Sequence, residues 1–347
     1  MDMINNIFIS GADLIRNILN WIGFGDVFTN LVMSVVYFVA IAALVTFNVI
    51  ILLWIDRRVS SFFQERLGPN RVGPFGLLQS LVDAAKLIGK ESVIPHAVDK
   101  VVYKIAPIFT FTITIMLYAV LPYGKGMSAV NINVGILYFT AISSTSALAI
   151  LMAGWSSNNK YSLIGGMRTV AQIISYEIPL AFSMLGVVML SGTMNLNEIV
   201  ASQSNLWNVF LQPVAFIIFI ISILAELNKA PFDLIEAEQE LVAGFHTEYS
   251  GMRFALFYMA EYANIFVMAG LGVTLFFGGW HGPILPSWLW FMLKTYLLII
   301  FIEWIRWTLP RARVDKMMKF NWKILIPISI ANIFVTGIII QLFHIIK

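Results

Sequence analysis

"LVMSVVYFVAIAALVTFNVIILLWI", residues 31–55, contains no Asp, Glu, Lys, Arg or His. A hydrocarbon core ~30 Å thick takes about 20 apolar residues as one helix, so this run is long enough to cross a membrane. "DRR" follows at 56–58 and puts charge directly at its end. The rest of the 347 residues reads alike: 59% are apolar, 12% are charged, and mean hydropathy is +0.83. A soluble domain carries about twice that share of charge. Seven further apolar runs lie near 101–122, 134–154, 169–190, 211–228, 254–277, 288–309 and 324–343. The expected fold is an all-α integral membrane protein, a single polytopic domain with about eight transmembrane helices.

Lys and Arg set the orientation. Segments 56–104, 155–168, 229–253 and 306–323 hold eight, two, two and six of them, and the alternate loops hold only Lys125. By the positive-inside rule the rich segments face the cytoplasm, which puts both termini outside. Residues 1–30 read as an N-terminal surface segment without a signal peptide, and 4–22 as a short helix with one apolar side. The first cytoplasmic loop, 56–100, contains "FGLLQSLVDAAKLIGKE" (75–91). There Phe75, Leu78, Leu81, Val82, Ala85 and Ile88 share a helical face, too short and too polar to span. This predicts an amphipathic helix on the cytoplasmic side, either an interfacial anchor or the wall of a cavity open to lipid. "ERLGPNRVGP" (65–74), with two Pro and two Gly, predicts an ordered turn offering Arg66 and Arg71 to an acidic group.

The chain has no cysteine, which excludes an iron–sulfur cluster, a disulfide and a thiol nucleophile within it. His96, His246, His281 and His344 have no helical ligand spacing, so neither a haem nor a metal site is expected.

The acids cluster. Seven of the nineteen fall between 226 and 261: Glu226, Asp233, Glu236, Glu238, Glu240, Glu248 and Glu261. Most lie in the acidic cytoplasmic loop 229–253. "DLIE" is a helix start in which Asp233 caps and Glu236 reaches back. That ordinary explanation leaves Glu238, Glu240 and Glu248 uncovered, in a setting of apolar sequence. Crowded carboxylates share protons and titrate as a group. Glu177 sits within the fourth run, in "SYEIPL", with Pro179 predicting a kink. A carboxylate there costs roughly 2.5–3.5 kcal/mol, so it faces a wet cavity or a partner. Lys294 is the one basic residue placed at comparable depth. Glu303 and Arg306, three apart, read as a structural ion pair. The short 5–6 connection predicts that those two spans are antiparallel neighbours.

Five stretches carry a resemblance: "ERLGPNRVGPFGLLQ" (65–79), "GWSSNNKYSLIGGMR" (154–168), "AELNKAPFDLIEAEQELVAGFHTEYSGMRFALFYMAEY" (225–262), "FFGGWHGP" (276–283) and "LPRARVDKMMKFNWK" (309–323). Over nearly its whole length the chain resembles the quinone-site membrane subunit of respiratory complex I, the NADH:quinone oxidoreductase. Asp56, Val314 and Asn321 depart from the Glu, Tyr and Gly common in that family.

The resemblance implies a chain without a cofactor of its own, taking quinone as substrate in a chamber fed from lipid, with FMN and Fe–S clusters on partner subunits. It implies peripheral Fe–S and quinone-headgroup subunits and antiporter-like membrane subunits as partners, in a bacterial inner membrane, and no nucleic acid. By motif position Glu226, Asp233, Glu236, Glu238, Glu240, Glu248 and Glu261 would line an acidic funnel for proton coupling, continued inward by Glu177. Arg57, Arg66, Arg71, Phe75, Leu78, Lys86, Phe245 and Arg253 would border the quinone passage. The alternative is the similar membrane subunit of an energy-converting hydrogenase or of a ferredoxin- or F420-dependent relative. A secondary transporter would need two related halves, and the sequence carries no internal repeat. A purely structural scaffold would tolerate acid-to-amide changes.

Overall fold

The computed structural model describes residues 7–21, 25–233 and 242–343. Helices dominate, and no strand occurs among the described residues. In order they are α1 Ile7–Trp21, α2 Asp26–Phe63, α3 Gln79–Gly89, α4 Lys100–Val120, α5 Gly135–Ser156, α6 Lys160–Ser191, α7 Leu196–Ser202, α8 Asn208–Leu211, α9 Pro213–Glu226, α10 Gly251–Phe276, α11 Ser287–Thr308, α12 Val314–Phe320 and α13 Ile326–Phe343. Among the described residues, seven helices are long and apolar enough to span, with α12 and α13 counted as one through a π-helical turn. The chain is an all-α, multi-pass membrane protein.

The fifth run behaves differently from its neighbours. Its helix α9 has 14 residues, about 21 Å at 1.5 Å per residue, short of the ~30 Å core. Gln212 interrupts it with φ −135° and ψ 61°, and Pro213 restarts it without a backbone N–H. The four-residue α8 lies ahead of the break. The Gln212 side chain bridges the gap, donating from Nε2 to the Gly186 carbonyl at 3.1 Å and to Thr336 Oγ1 at 3.0 Å.

At the centre stands α10. Every residue from Ile265 to Phe276 is buried, as expected of a helix enclosed by protein on all sides. A Cβ on Gly272 would come within 2.8 Å of Phe219 and 3.0 Å of Leu298, so the bare glycine lets those side chains of α9 and α11 press in. The expected 5–6 pairing is correspondingly loose. Helix α9 packs mainly on α6, and α10 mainly on α4 and α11. Phe216 and Phe219 meet Phe276 ring to ring, and lower down a cavity separates the two helices.

Pro179 does not break α6, which runs unbroken for 32 residues. The carbonyl that the missing Pro179 amide would have bonded is that of Ser175. Asn321 Nδ2 donates to it at 2.6 Å. Asn321 therefore supplies the donor that α6 lacks, two residues from Glu177.

The α2–α3 corner inverts the usual burial of an amphipathic helix. The polar side of α3 faces the protein: Ser80 is buried, and Asp83 pairs with Arg57 of α2 at 2.5 Å. Leu78, Leu81, Val82 and Ile88 are exposed. Such a helix lies against lipid, not on a protein core. The helix proper begins at Gln79, later than the predicted 75. Phe75 sits in a 3₁₀ turn at φ 54°, outside the helical region. The 65–74 turn is folded tightly onto Gly76, where an added Cβ would stand 2.1 Å from the Pro69 carbonyl.

Candidate functional site

A cavity of about 90 Å³ opens between α4, α5, α6, the end of α9, the 244–246 turn and α10. Glu226, at the end of α9, and Glu261, on α10, both line it. Glu226 ends α9 and is 7% exposed, and its Oε2 has no hydrogen-bond partner. A buried, unpaired carboxylate oxygen is costly unless it binds a proton, water or a cation. Glu261 is held by Lys229, whose Nζ lies 2.5 Å from Oε1 and whose side chain is 2% exposed. The same ammonium lies 5.0 Å from the centre of the Tyr262 ring.

From Lys229 and Tyr262 a polar chain leads to α2. The Tyr262 hydroxyl donates to Asp56 Oδ2 at 2.7 Å, and Tyr258 donates to the Tyr262 hydroxyl at 3.3 Å. Arg306 donates to Asp56 at 2.9 Å and to Glu303 at 3.3 Å. The expected Glu303–Arg306 pair is present, as part of a larger group. Asp56 precedes Arg57, which anchors α3. One charged group thus connects the base of the amphipathic helix to the cavity wall.

Glu177 accepts a hydrogen bond from Ser144 Oγ on α5, and it interacts through space with Glu226. Lys294 is not its partner. Its ammonium donates to the carbonyls of Phe277, Gly279 and His281 at 2.8, 3.1 and 2.7 Å, so it closes the C-terminal end of α10.

Beside the cavity, Gly165 lets α6 meet the 244–246 turn: a Cβ there would come within 2.9 Å of Gly244 Cα. Gln172 fastens the same region by donating to the carbonyls of Ala225 and Phe232 at 2.6 and 2.9 Å. His246 lines the cavity, and burial pulls its pKa below the usual 6.5, opposed by Glu261. Burial pushes Tyr249 up to about 12.

The remaining sequence-predicted acids separate. Glu248 accepts from Asn159 Nδ2 at 2.6 Å and is not part of the cavity wall. Asp233 is half-buried just after Phe232. Glu236, Glu238 and Glu240 lie outside the described residues.

Among the residues expected at a passage, Arg57, Phe75, Leu78 and Lys86 gather at the α2–α3 corner. Trp54 Nε1 donates to the Phe75 carbonyl at 3.0 Å, and Phe75 itself is 72% exposed. Arg66 and Arg71 are exposed on the adjoining turn. Phe245 lies on the 244–246 turn and Arg253 near the start of α10. Phe245 is buried against Phe257 and forms cavity wall, while Arg253 stacks on Tyr103 at 5.7 Å. Sequence reasoning missed Lys229, Asn228, Asn264, Tyr258 and Tyr262. "EYAN" (261–264) carried the signal, since polar groups follow Glu261 within one helical turn. Among the described residues no group of three or more His, Cys, Asp or Glu could hold a metal ion.

A family profile described as NADH dehydrogenase matches residues 33–337. The H subunit of NADH-quinone oxidoreductase from Carboxydothermus hydrogenoformans is 46% identical over 346 residues, 99% of either chain. The protein of that name from Dehalococcoides mccartyi strain CBDB1 is 50% identical over 302 residues, covering 87% of this chain and 85% of its own. Its counterpart in Bacillus cytotoxicus is 49% identical over 317 residues, 90% of this chain and 94% of its own.

Proposed function

Because the chain belongs to the family of NADH-quinone oxidoreductase H subunits, and so is a membrane subunit of that enzyme, we propose that it forms the lipid-side quinone chamber and couples quinone reduction to proton transfer. The observation that carries this reading is the cavity holding Glu226 and Glu261, tied through Lys229, Tyr262 and Asp56 to the base of α3.

The apolar face of α3, with Phe75 and the exposed turn arginines, suits the mouth of a passage for a long apolar tail. The flavin and iron–sulfur chemistry belongs to peripheral partner subunits, and a neighbour supplies the headgroup contacts. This chain has no thiol with which to hold a cluster. When bound, quinone takes up two electrons and requires two protons, so negative charge arises at the inner end of the passage. The Asp56–Arg306–Glu303 group and the Lys229–Glu261 pair respond by shifting position or charge. A changed field at Lys229 alters its hold on Glu261, and protons redistribute among Glu261, Glu226 and Glu177. This is linked equilibrium between two sites. Glu236, Glu238, Glu240, Asp233 and Glu248 extend the acidic funnel on the cytoplasmic side, and antiporter-like subunits receive its output. The chain sits in the bacterial inner membrane with both termini outside.

The test is Glu226→Gln and Glu261→Gln in the assembled complex. Quinone reductase and pumping are expected to fall together while assembly persists. Full turnover and full pumping in both variants would remove these acids from the route.

A further inference from the structure

Helix α12 has two unlike sides. Inward, Met317 and Asn321 are buried, and both bond to α6 just before Glu177. The Tyr176 hydroxyl donates to the Met317 carbonyl at 3.0 Å, and Asn321 Nδ2 donates to the Ser175 carbonyl at 2.6 Å. Outward, Lys316, Lys319 and Lys323 are exposed at steps of three and four, so they share one side of the helix. Among the described residues none of the three has an ion-pair partner. Arg311 and Arg313 are exposed just before them, and Asp315 is the only acid between 309 and 323. Like charges three and four apart work against a helix, and α12 has only seven residues.

What covers these lysines follows from the helix they stand on. Through the π-helical turn α12 runs into α13, and among the described residues this is the least buried of the seven spans. Ile328, Phe334, Ile338 and Leu342 continue its exposed surface. Residues 324–343 make ~30 Å of helix, which fills the hydrocarbon core. Lys323 then stands at the edge of the core, with Lys319 ~6 Å and Lys316 ~10 Å beyond it. The headgroup layer is ~5–8 Å deep on each side, so ammonium groups on flexible stems reach its phosphates. Trp322 is exposed at the same level, where tryptophans gather at a membrane surface. A run of basic residues directly beside a span is the pattern that anionic lipid surfaces attract. A protein partner suits it less, because protein interfaces are depleted of Lys. A mobile point charge suits a phosphate.

We propose that the lysine side of α12 binds anionic phospholipid headgroups of the leaflet it faces. Their phosphates offset the repulsion among the lysines and hold α12 against α6 at Ser175 and Tyr176. The site does not depend on the coupling role given above to Glu177, Glu226 and Glu261.

The assay is amide hydrogen exchange of residues 314–323 in the assembled complex, in phosphatidylcholine vesicles with phosphatidylglycerol raised stepwise. Exchange in the wild type is expected to slow and to saturate. Each lysine near an anionic surface contributes ~1 kcal/mol, about fivefold. Lys319→Gln should therefore need about five times as much phosphatidylglycerol for half the effect. The triple variant Lys316→Gln/Lys319→Gln/Lys323→Gln should not respond. Replacing all three by Arg should keep the response, which separates their charge from any structural part they play. Should the triple Gln variant fail to assemble, Lys319→Gln and Lys319→Glu decide the matter, the Glu variant being shifted further. A wild type that exchanges alike in all vesicles overturns the proposal, as does a triple Gln variant that still responds. Exchange that is indifferent to lipid and rises when the peripheral subunits are stripped off would assign the lysines to a protein. Equal slowing by inorganic phosphate in plain phosphatidylcholine vesicles would assign them to a free anion. Either result overturns the lipid site. Glu226→Gln and Glu261→Gln judge the coupling reading separately.

Discussion

Lys229→Met removes the ammonium that holds Glu261 and leaves that carboxylate beside the cavity without its cation. Breaking a fully buried ion pair from one side costs ~3–5 kcal/mol. Glu261 keeps 32% of its side chain exposed, which moves the cost toward the ~1 kcal/mol of exposed pairs. Loss of the cation over the Tyr262 ring adds ~0.5–1 kcal/mol. The sum is about 2–3 kcal/mol. The double variant Lys229→Met/Glu261→Gln has no stranded charge, so most of that cost returns. The assay is a double-mutant cycle on thermal release of the chain from the solubilised complex. A penalty of about 2 kcal/mol corresponds to roughly thirtyfold faster release when the pair breaks before the rate-limiting step. We expect Lys229→Met to be released fastest, with the double variant near wild type in stability yet defective in pumping. If Lys229→Met alone is as durable as the double variant, the pair does not restrain Glu261, and the route from Asp56 to the cavity loses its central link.

Asn321→Leu should destabilise the complex by ~1–3 kcal/mol, because the Ser175 carbonyl loses its donor; in a Pro179→Ala background the backbone amide returns and the cost should nearly vanish, which a second cycle would measure. Arg57→Gln should weaken the hold on α3 by ~1 kcal/mol or less, since both partners are about a third exposed; steady-state kinetics should show a higher KM for quinone with kcat nearly kept, and the exchange Arg57→Asp with Asp83→Arg should restore it. For His246 the folded pKa lies below 6.5, so below that pH the unfolded chain takes a proton that the folded chain refuses. Its stabilisation is complete above pH 6.5 and declines as pH falls; thermal inactivation across that range should show an acid limb that is shallower in His246→Asn. Gly165→Val should prevent the 244–246 turn from seating on α6, and hydrogen exchange there should rise.

Most of the architecture was legible from apolar run length, because a lipid core of fixed thickness leaves few alternatives to a spanning helix. The fifth run shows the limit: 211–228 reads as one segment, and only the Gln212–Pro213 break makes it short. The sequence around Pro179 gives no sign of a distant donor, Asn321, which stands 146 residues from the Ser175 carbonyl it serves. Of the acidic cluster, Glu226 and Glu261 line one cavity. Lys229 entered the sequence reading only as a contribution to orientation, since its partner lies 32 residues away across a turn of chain. Asn228 and Asn264 were hidden for a different reason. Neutral amides carry no charge pattern, and their importance arises from what faces them in three dimensions. Phe245 and Arg253 are expected at the passage from motif position alone; their packing, Phe245 in the cavity wall and Arg253 on Tyr103, is a feature of the fold that no local pattern signals.

The central claim is that reducing the quinone changes the charge state of the acids around this cavity. Reduced-minus-oxidised infrared difference spectra of the assembled complex, in its wild-type and Glu226→Gln forms, test it most directly. A carboxyl band that changes on quinone reduction and is missing from the variant is the predicted result. Identical spectra in the two proteins, at equal quinone turnover, would contradict it.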